Sequence, residues 1–117
     1  MFYPVKKKEY EDCKFHIRQN LKWFQPGAKG VEVQAKVVGM NPYMMMEILT
    51  YRIPSVEDRD LHKDFKNKHK KLTPVVISHG IMCWGTSLSS YILELVSHGC
   101  IVFTVDHTDR SCLGYTD

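Results

Sequence analysis

Several features that mark other classes of protein are missing from this sequence. Its 117 residues contain no uncharged apolar run close to the roughly 20 residues that span a bilayer, so we predict no transmembrane segment. The first residues, MFYPVKKKEYEDC, carry charges where a signal peptide would have an apolar core of about 7–15 residues. Without a signal peptide or a disulfide framework, we expect an intracellular protein.

The cysteines also lack the spacing of a metal or redox motif. Cys13, Cys83, Cys100 and Cys112 are far apart and include no C-x-x-C pair, which favours reduced thiols over a zinc ribbon. Cys13 and His16 have a C-x2-H spacing, but no later pair complements them. We therefore expect neither a metal nor another cofactor.

Charge of one sign is not in strong excess either. The 16 basic and 13 acidic side chains give a formal net charge of +3, which does not require a nucleic-acid partner. Lysine is concentrated in residues 62–71, HKDFKNKHKK, where positive charge could follow phosphates and Phe65 could stack on a base. One aromatic ring is a poor stacking platform, so we favour a solvated linker and do not expect nucleic acid as a partner.

The first 72 residues give mixed signals. Phe2-Tyr3-Pro4-Val5 is a short β-prone run that its proline confines to a sheet edge. Apolar residues recur at helical steps over 9–24, and Pro26-Gly27 ends that pattern. The valines of residues 31–38 fit a short helix or a strand equally well, and their spacing does not decide between the two.

A methionine-rich run, Pro42 to Leu49, is the most hydrophobic part of this half. Methionine fills irregular gaps in protein cores, which favours core packing. The alternative is a lipid-facing surface with Trp23 and Phe24 as interfacial anchors, but the run lacks the sustained amphipathic spacing of an interfacial helix.

Residues 73–117 are better organised, and the change in composition after Leu72 marks a boundary. Residues 74–78, PVVIS, and 101–105, IVFTV, are continuous apolar runs typical of strands buried on both faces. Between them, apolar residues at helical steps from Leu88 to Val96 predict a helix, with Thr86 or Ser87 as its cap and Gly99 at its end. A strand, a helix and a strand at this spacing predict a right-handed βαβ crossover in a parallel sheet.

In an open parallel sheet the chemistry lies beyond the carboxyl ends of the strands. The first such end is Ser78-His79-Gly80-Ile81. A glycine here lets the backbone turn sharply, so that the amide of Ile81 can point into the crevice. A fixed N–H at this place would suit an oxyanion hole, which stabilises the charge that develops on a carbonyl oxygen during acyl transfer.

Two Ser-His-Gly triplets and the end Asp106-His107-Thr108-Asp109-Arg110-Ser111 carry a family resemblance. The segment PVVISHGIMCWGTSLSSYILELVSHGCIVFTVDHTDRS resembles the corresponding stretch of platelet-activating factor acetylhydrolases, and the run from Phe2 to Pro4 resembles their FYP strand. The resemblance implies a serine esterase of the α/β-hydrolase fold that acts on a phospholipid or short-acyl ester. It also implies an oxyanion role for the Ile81 N–H, with Gly80 in the oxyanion loop.

Three positions in the loop depart from the family pattern. Ile81-Met82 stand where the family usually has Leu-Gly, and Gly85 replaces an arginine that is common before the loop threonine, although Thr86 is kept. The backbone role of Ile81 survives these changes, because it does not depend on the side chain.

The nucleophile elbow G-x-S-x-G, and the acid and histidine that follow it, have no counterpart in residues 1–117. Ser87 lies in the nearest imitation, GTSLS, but in the wrong context for a nucleophile. We interpret His98 as a helix C-terminal residue and His79 as a group that orders the loop. Asp106 and Asp109 are expected to organise the turn after the second strand.

We therefore predict a partial α/β-hydrolase fold, a βαβ unit preceded by an edge strand and a helical, lysine-rich insertion. Residues 1–117 form one incomplete domain, divided into 1–72 and 73–117. The chain is expected to be inactive alone, as the N-terminal part of a lipid esterase. The alternative is a non-catalytic subunit whose sheet a protein partner completes, at an edge that we place at Val105.

Overall fold

The computed structural model describes residues 1–13, 21–55, 60–66, 70–107 and 109. In chain order its elements are helix α1 (Lys7–Cys13), α2 (Gly27–Val38), α3 (Pro42–Met45), a 3-10 helix (Met46–Thr50), α4 (Lys63–Lys66), strand β1 (Thr73–Ser78), α5 (Ser89–Ser97) and β2 (Cys100–Val105). This is a partial α/β fold, as expected. The division of the chain after residue 72 stays a prediction.

The predicted β1-α5-β2 unit is confirmed. Its two strands are parallel and in register from Thr73 opposite Cys100 to Ser78 opposite Val105. Gly99, between helix and strand, has the left-handed conformation expected of a helix end, with φ of 84°. The prediction that Thr86 or Ser87 caps the helix is wrong. Helix α5 begins only at Ser89, without a side-chain cap, because the Thr86 hydroxyl donates elsewhere.

The two faces of the small sheet differ, so the prediction of strands buried on both faces is wrong. Val102 is fully buried and its neighbour Val75 is half-buried, on the face of the sheet where α5 packs. The opposite face carries Val76, which is 68% exposed, together with Phe103 and Val105. Within the described part of the chain, helices cover only one side of the strands.

The two edges of the sheet differ as well. Phe2 lies beside β2 in an antiparallel bridge. The Phe2 N–H donates to Val102 O at 2.7 Å, and the Val102 N–H donates to Phe2 O at 2.8 Å. The predicted N-terminal edge strand is therefore a single bridge, and it already covers the middle of the edge that we expected to be unpaired at Val105. Among the described residues, the open edge is that of β1.

Part of the predicted first helix is wrong. Helix α1 confirms its beginning, and residues 14–20 lie outside the described residues. Its expected end is extended instead: Trp23 N–H donates to Tyr51 O at 3.0 Å, and Ile53 N–H donates to Leu21 O at 2.9 Å. These bonds join residues that are distant along the chain, and they occupy backbone groups that helical hydrogen bonds would have used. The valine segment left undecided by its spacing is helix α2, with Val31 buried.

An aromatic cluster forms the core beside the sheet. Trp84 packs edge-to-face against Phe24 and Trp23, with ring centroids 4.7 and 5.1 Å away. Four side chains of the methionine-rich run pack on this cluster, which confirms their predicted core role: Met45, Met46, Ile48 and Leu49. Tyr43 and Met44 of the same run are exposed. Phe24 is only 1% exposed, so the alternative that made it an interfacial anchor is wrong.

The lysine-rich segment is tied to the N-terminus of the chain. His62 N–H donates to Pro4 O at 3.0 Å, and helix α4 follows. Residues 67–69 lie outside the described residues, so the linker interpretation of this run stays a prediction. Within the described ranges, no helix is long and apolar enough to span a membrane. The same ranges contain no cluster of three or more His, Cys, Asp or Glu side chains that could hold a metal ion.

Candidate functional site

A tight turn follows β1 directly. Cys83 N–H donates to Gly80 O at 3.2 Å, and Met82 has a φ of 62°. A bond from the first to the fourth residue, with positive φ only at the third, is the pattern of a type II turn, in which glycine is favoured at the third position. The left-handed residue of this loop is thus Met82, whereas from the sequence we attributed the sharp turn to the glycine, Gly80.

Ile81 occupies the second position of this turn and is 84% exposed. No hydrogen bond among the described residues uses its N–H. The fold therefore leaves this amide available to a ligand at the carboxyl end of β1. Gly80 contributes its carbonyl rather than its conformational freedom, because a Cβ built on it meets nothing within 4 Å and its φ is not positive.

His79 orders the beginning of the loop, as its sequence position suggested. Its imidazole is buried, with Nδ1 2.8 Å from Gly80 O. Its Nε2 lies 3.4 Å from the His107 backbone N–H. Since a backbone N–H only donates and a carbonyl only accepts, these contacts assign the neutral tautomer that carries its proton on Nδ1. His79 thus joins the ends of both strands.

A contact between Ser78 and His107 was not anticipated from the sequence. Ser78 Oγ lies 2.8 Å from His107 Nε2, and the His107 ring packs edge-to-face on His79 at 4.8 Å. The strand register could have indicated this contact, because Ser78 pairs with Val105, two residues before His107. A hydroxyl beside an imidazole has the distance of a nucleophile and base, but Ser78 lies within β1 rather than on a strained strand-to-helix turn.

The far half of the loop is buried and held at three consecutive residues. Gly85 N–H donates to Asp106 Oδ1 at 2.6 Å. Trp84 Nε1–H and Thr86 Oγ1–H both donate to Trp23 O, at 2.8 and 2.6 Å. Asp106 thus reaches from the end of β2 to the loop after β1, and its expected role in the turn after β2 stays a prediction.

Other candidates lie outside this arrangement. Ser87 Oγ is buried and has no hydrogen-bond partner among the described residues, so no base is in place to activate it. His98 is the C-cap of α5, with Nε2 3.0 Å from Glu94 Oε1, at the helix end away from the loop. Thr108 and residues 110–117 of the predicted end motif lie outside the described residues.

A cavity of about 750 Å³ lies behind the loop. Its walls are formed by the N-terminal run around Phe2, by Leu93 and Val96 of α5, and by Thr86 and Asp106. Neither Gly80 nor Ile81 contributes to its walls. The exposed amide and the cavity are therefore separate features of this part of the molecule.

Comparison with known proteins identifies a family for the chain. The model of the family described as "Platelet-activating factor acetylhydrolase, isoform II" matches residues 1–116, essentially the whole chain. No curated protein and no solved structure matches the chain. The family match confirms the resemblance that the paired Ser-His-Gly triplets indicated.

Proposed function

Because the chain belongs to the platelet-activating factor acetylhydrolase family, whose members are lipid esterases, we propose that it provides the oxyanion-binding half of such an esterase. The reaction is removal of a short acyl group from the second position of a glycerophospholipid, through serine acylation without a metal. The single observation that carries the proposal is the Ile81 amide, which the fold leaves uncommitted at the carboxyl end of β1.

The chemistry of acyl transfer explains why this amide matters. When a serine attacks an ester, the carbonyl oxygen acquires negative charge, and a preorganised N–H stabilises that charge. The Ile81 amide lies in a loop that is held at its beginning by His79 and at its far half by residues 84–86. A donor fixed in this way needs no reorganisation when the charge forms.

The nucleophile must come from elsewhere, since residues 1–117 contain no G-x-S-x-G sequence. The open edge of β1 supports a way to supply it. Thr73 N–H donates to Gly99 O, so the backbone groups of alternate residues, Pro74, Val76 and Ser78, face away from β2. A further parallel strand on this edge would lie about 4.8 Å from β1 and end beside Gly80 and Ile81.

A second candidate function uses the same edge without catalysis. The chain would be a structural or interaction subunit whose β1 edge pairs with a strand of another protein. The exposed apolar face of the sheet, with Val76 and Phe103, favours this possibility. A purified chain that stays monomeric and unfolds cooperatively would count against it.

We predict that purified residues 1–117 show no turnover of an acetylated phospholipid or of a small activated ester. In serine proteases, removal of the triad leaves about 10³–10⁴-fold catalysis over water only while the binding site and oxyanion hole stay intact. Mass spectrometry after treatment with a serine-directed phosphonate should find no adduct. Stoichiometric labelling at Ser78, beside His107, would overturn the prediction that the nucleophile lies elsewhere.

A longer polypeptide that supplies a G-x-S-x-G strand should be active, and Ile81→Pro tests the amide there. Proline is favoured at the second position of a type II turn, so it deletes the N–H with little change in the turn. We expect kcat to fall by about 10²–10³. The matched control, Ile81→Ala, keeps the N–H and should retain most of kcat. Equal loss in both variants would contradict an oxyanion role for the amide.

A further inference from the structure

The carboxylate of Asp106 lies between the two ends of the loop that carries Ile81. Its Oδ1 accepts the Gly85 N–H at 2.6 Å and lies 4.0 Å from His79 Nε2. A hydrogen bond from a backbone N–H to a carboxylate is charge-assisted and about twice as strong as a neutral one. One side chain at the end of β2 therefore neighbours both the beginning and the far half of the loop.

Gly85 makes the space that this contact needs. A Cβ built on Gly85 would lie 2.8 Å from Asp106 Oδ2 and 3.2 Å from Thr104 Oγ1. Any larger residue would have to displace the carboxylate. Gly85 has no positive φ, so the requirement is for room rather than for an unusual backbone conformation.

The loop is short enough for this contact to reach the turn. Only Met82, Cys83 and Trp84 separate Ile81 from Gly85, and the Cys83 N–H is itself bonded to Gly80 O. Three residues leave little slack in the backbone, so a shift at Gly85 is expected to displace the turn as well.

We propose that Asp106 is a positioning residue that fixes the Ile81 amide by holding the Gly85 backbone, and that Gly85 is required to admit its carboxylate. The contact is a property of the fold, whereas its use in ester hydrolysis rests on the proposed function. Asp106 does not touch the substrate in this arrangement; it acts through the loop.

The test uses residues 1–117 and amide NMR. Asp106→Ala should speed hydrogen exchange at the Gly85 N–H by about tenfold or more, as expected for loss of a bond to a charged acceptor. Exchange at Cys83 should rise too, and the order parameter of the Ile81 N–H should fall from about 0.85 toward 0.6. The Val102 amide, bonded to Phe2 O in the sheet, serves as the internal reference and should not change.

Two further variants separate positioning from a general loss of structure. Asp106→Asn keeps a neutral Oδ1 acceptor, so exchange at Gly85 and order at Ile81 should lie between those of the wild type and of Asp106→Ala. At the Gly85 and Ile81 amides, Gly85→Ala should reproduce the effect of Asp106→Ala, and the double variant should show no additional effect there, because both changes break the same Gly85–Asp106 hydrogen bond. Independent, additive effects, or an Ile81 order parameter unchanged in Asp106→Ala, would overturn the proposal.

The outcome is distinguishable from failure of the proposed function, since these readouts do not depend on catalysis. If hydrogen exchange changes as expected but no longer polypeptide shows esterase activity, the proposed function is wrong and the positioning role stands. In an active longer polypeptide, Asp106→Ala should lower kcat about tenfold or more with little change in KM, because the oxyanion contact is made in the transition state. If the longer polypeptide is active and Asp106→Ala leaves its kcat unchanged, the positioning role is wrong and the proposed function stands.

Discussion

Residues 80–82 and 84–86 belong to one loop, but the first stretch is largely exposed and the second is buried against the rest of the molecule. In the first stretch, Ile81 is exposed and Met82 takes a left-handed conformation that is unfavourable for a residue with a side chain. In the second, Trp84 is 7% and Thr86 2% exposed, and both bond to one carbonyl. An amide can thus be left free for a ligand when its neighbours provide the anchoring contacts.

Removal of the buried anchor should have the largest effect. Trp84→Ala deletes two edge-to-face ring contacts and the bond to Trp23 O. We expect the free energy of unfolding of residues 1–117 to fall by about 3–5 kcal/mol, measured by denaturant titration. Tyr91→Ala, at an aromatic residue exposed on α5, is the control and should change it by no more than about 0.5 kcal/mol. Similar losses in both variants would break the distinction between anchored and exposed positions.

An intermediate effect is expected at Thr86. Thr86→Val keeps the shape of the side chain but removes the donor to Trp23 O, where the Trp84 indole remains as the second donor. Because that carbonyl stays satisfied, the cost should be limited to about 1–2 kcal/mol of unfolding free energy. Thr86→Ser keeps the hydroxyl and is expected to retain the bond, so it should lose less. A larger loss in the serine variant would show that the methyl group, rather than the bond, matters.

The smallest effect concerns the strained turn. Glycine normally destabilises a protein relative to alanine, but at Met82 we expect the reverse, because the φ of 62° is unstrained only for glycine. Met82→Gly should be more stable than Met82→Ala by about 1 kcal/mol. The pair shares the loss of the half-buried methionine side chain, so their difference isolates the backbone. If alanine is the more stable of the two, the turn is not left-handed at this residue.

The sequence was informative where local pattern decides structure. Continuous β-branched runs placed both strands within one residue, and helical spacing placed α5 between them. Gly99 was correctly expected at the left-handed end of that helix. These features depend on neighbours along the chain, which a single sequence displays directly.

The errors arose where distant residues compete for the same backbone groups. Leu21 and Trp23 fit a helical stripe but bond across to Ile53 and Tyr51, and no local pattern signals that partner. For the same reason the contacts of Asp106 with Gly85, 21 residues away, could not be read from spacing. The sequence pointed to a segment for the candidate site, whose role stays a prediction, while the arrangement inside that segment depends on tertiary contacts.

The open edge of β1 also governs how the isolated chain should behave in solution. Val76 presents unpaired backbone groups at that edge within the described part of the sheet, and the same strand shows an apolar face to solvent. Such a surface is a template for intermolecular strand pairing and aggregation, with Pro74, which has no N–H to offer, as the one blocking residue on it. The yield of monomer should therefore fall as the protein concentration rises, and Val76→Lys should improve it.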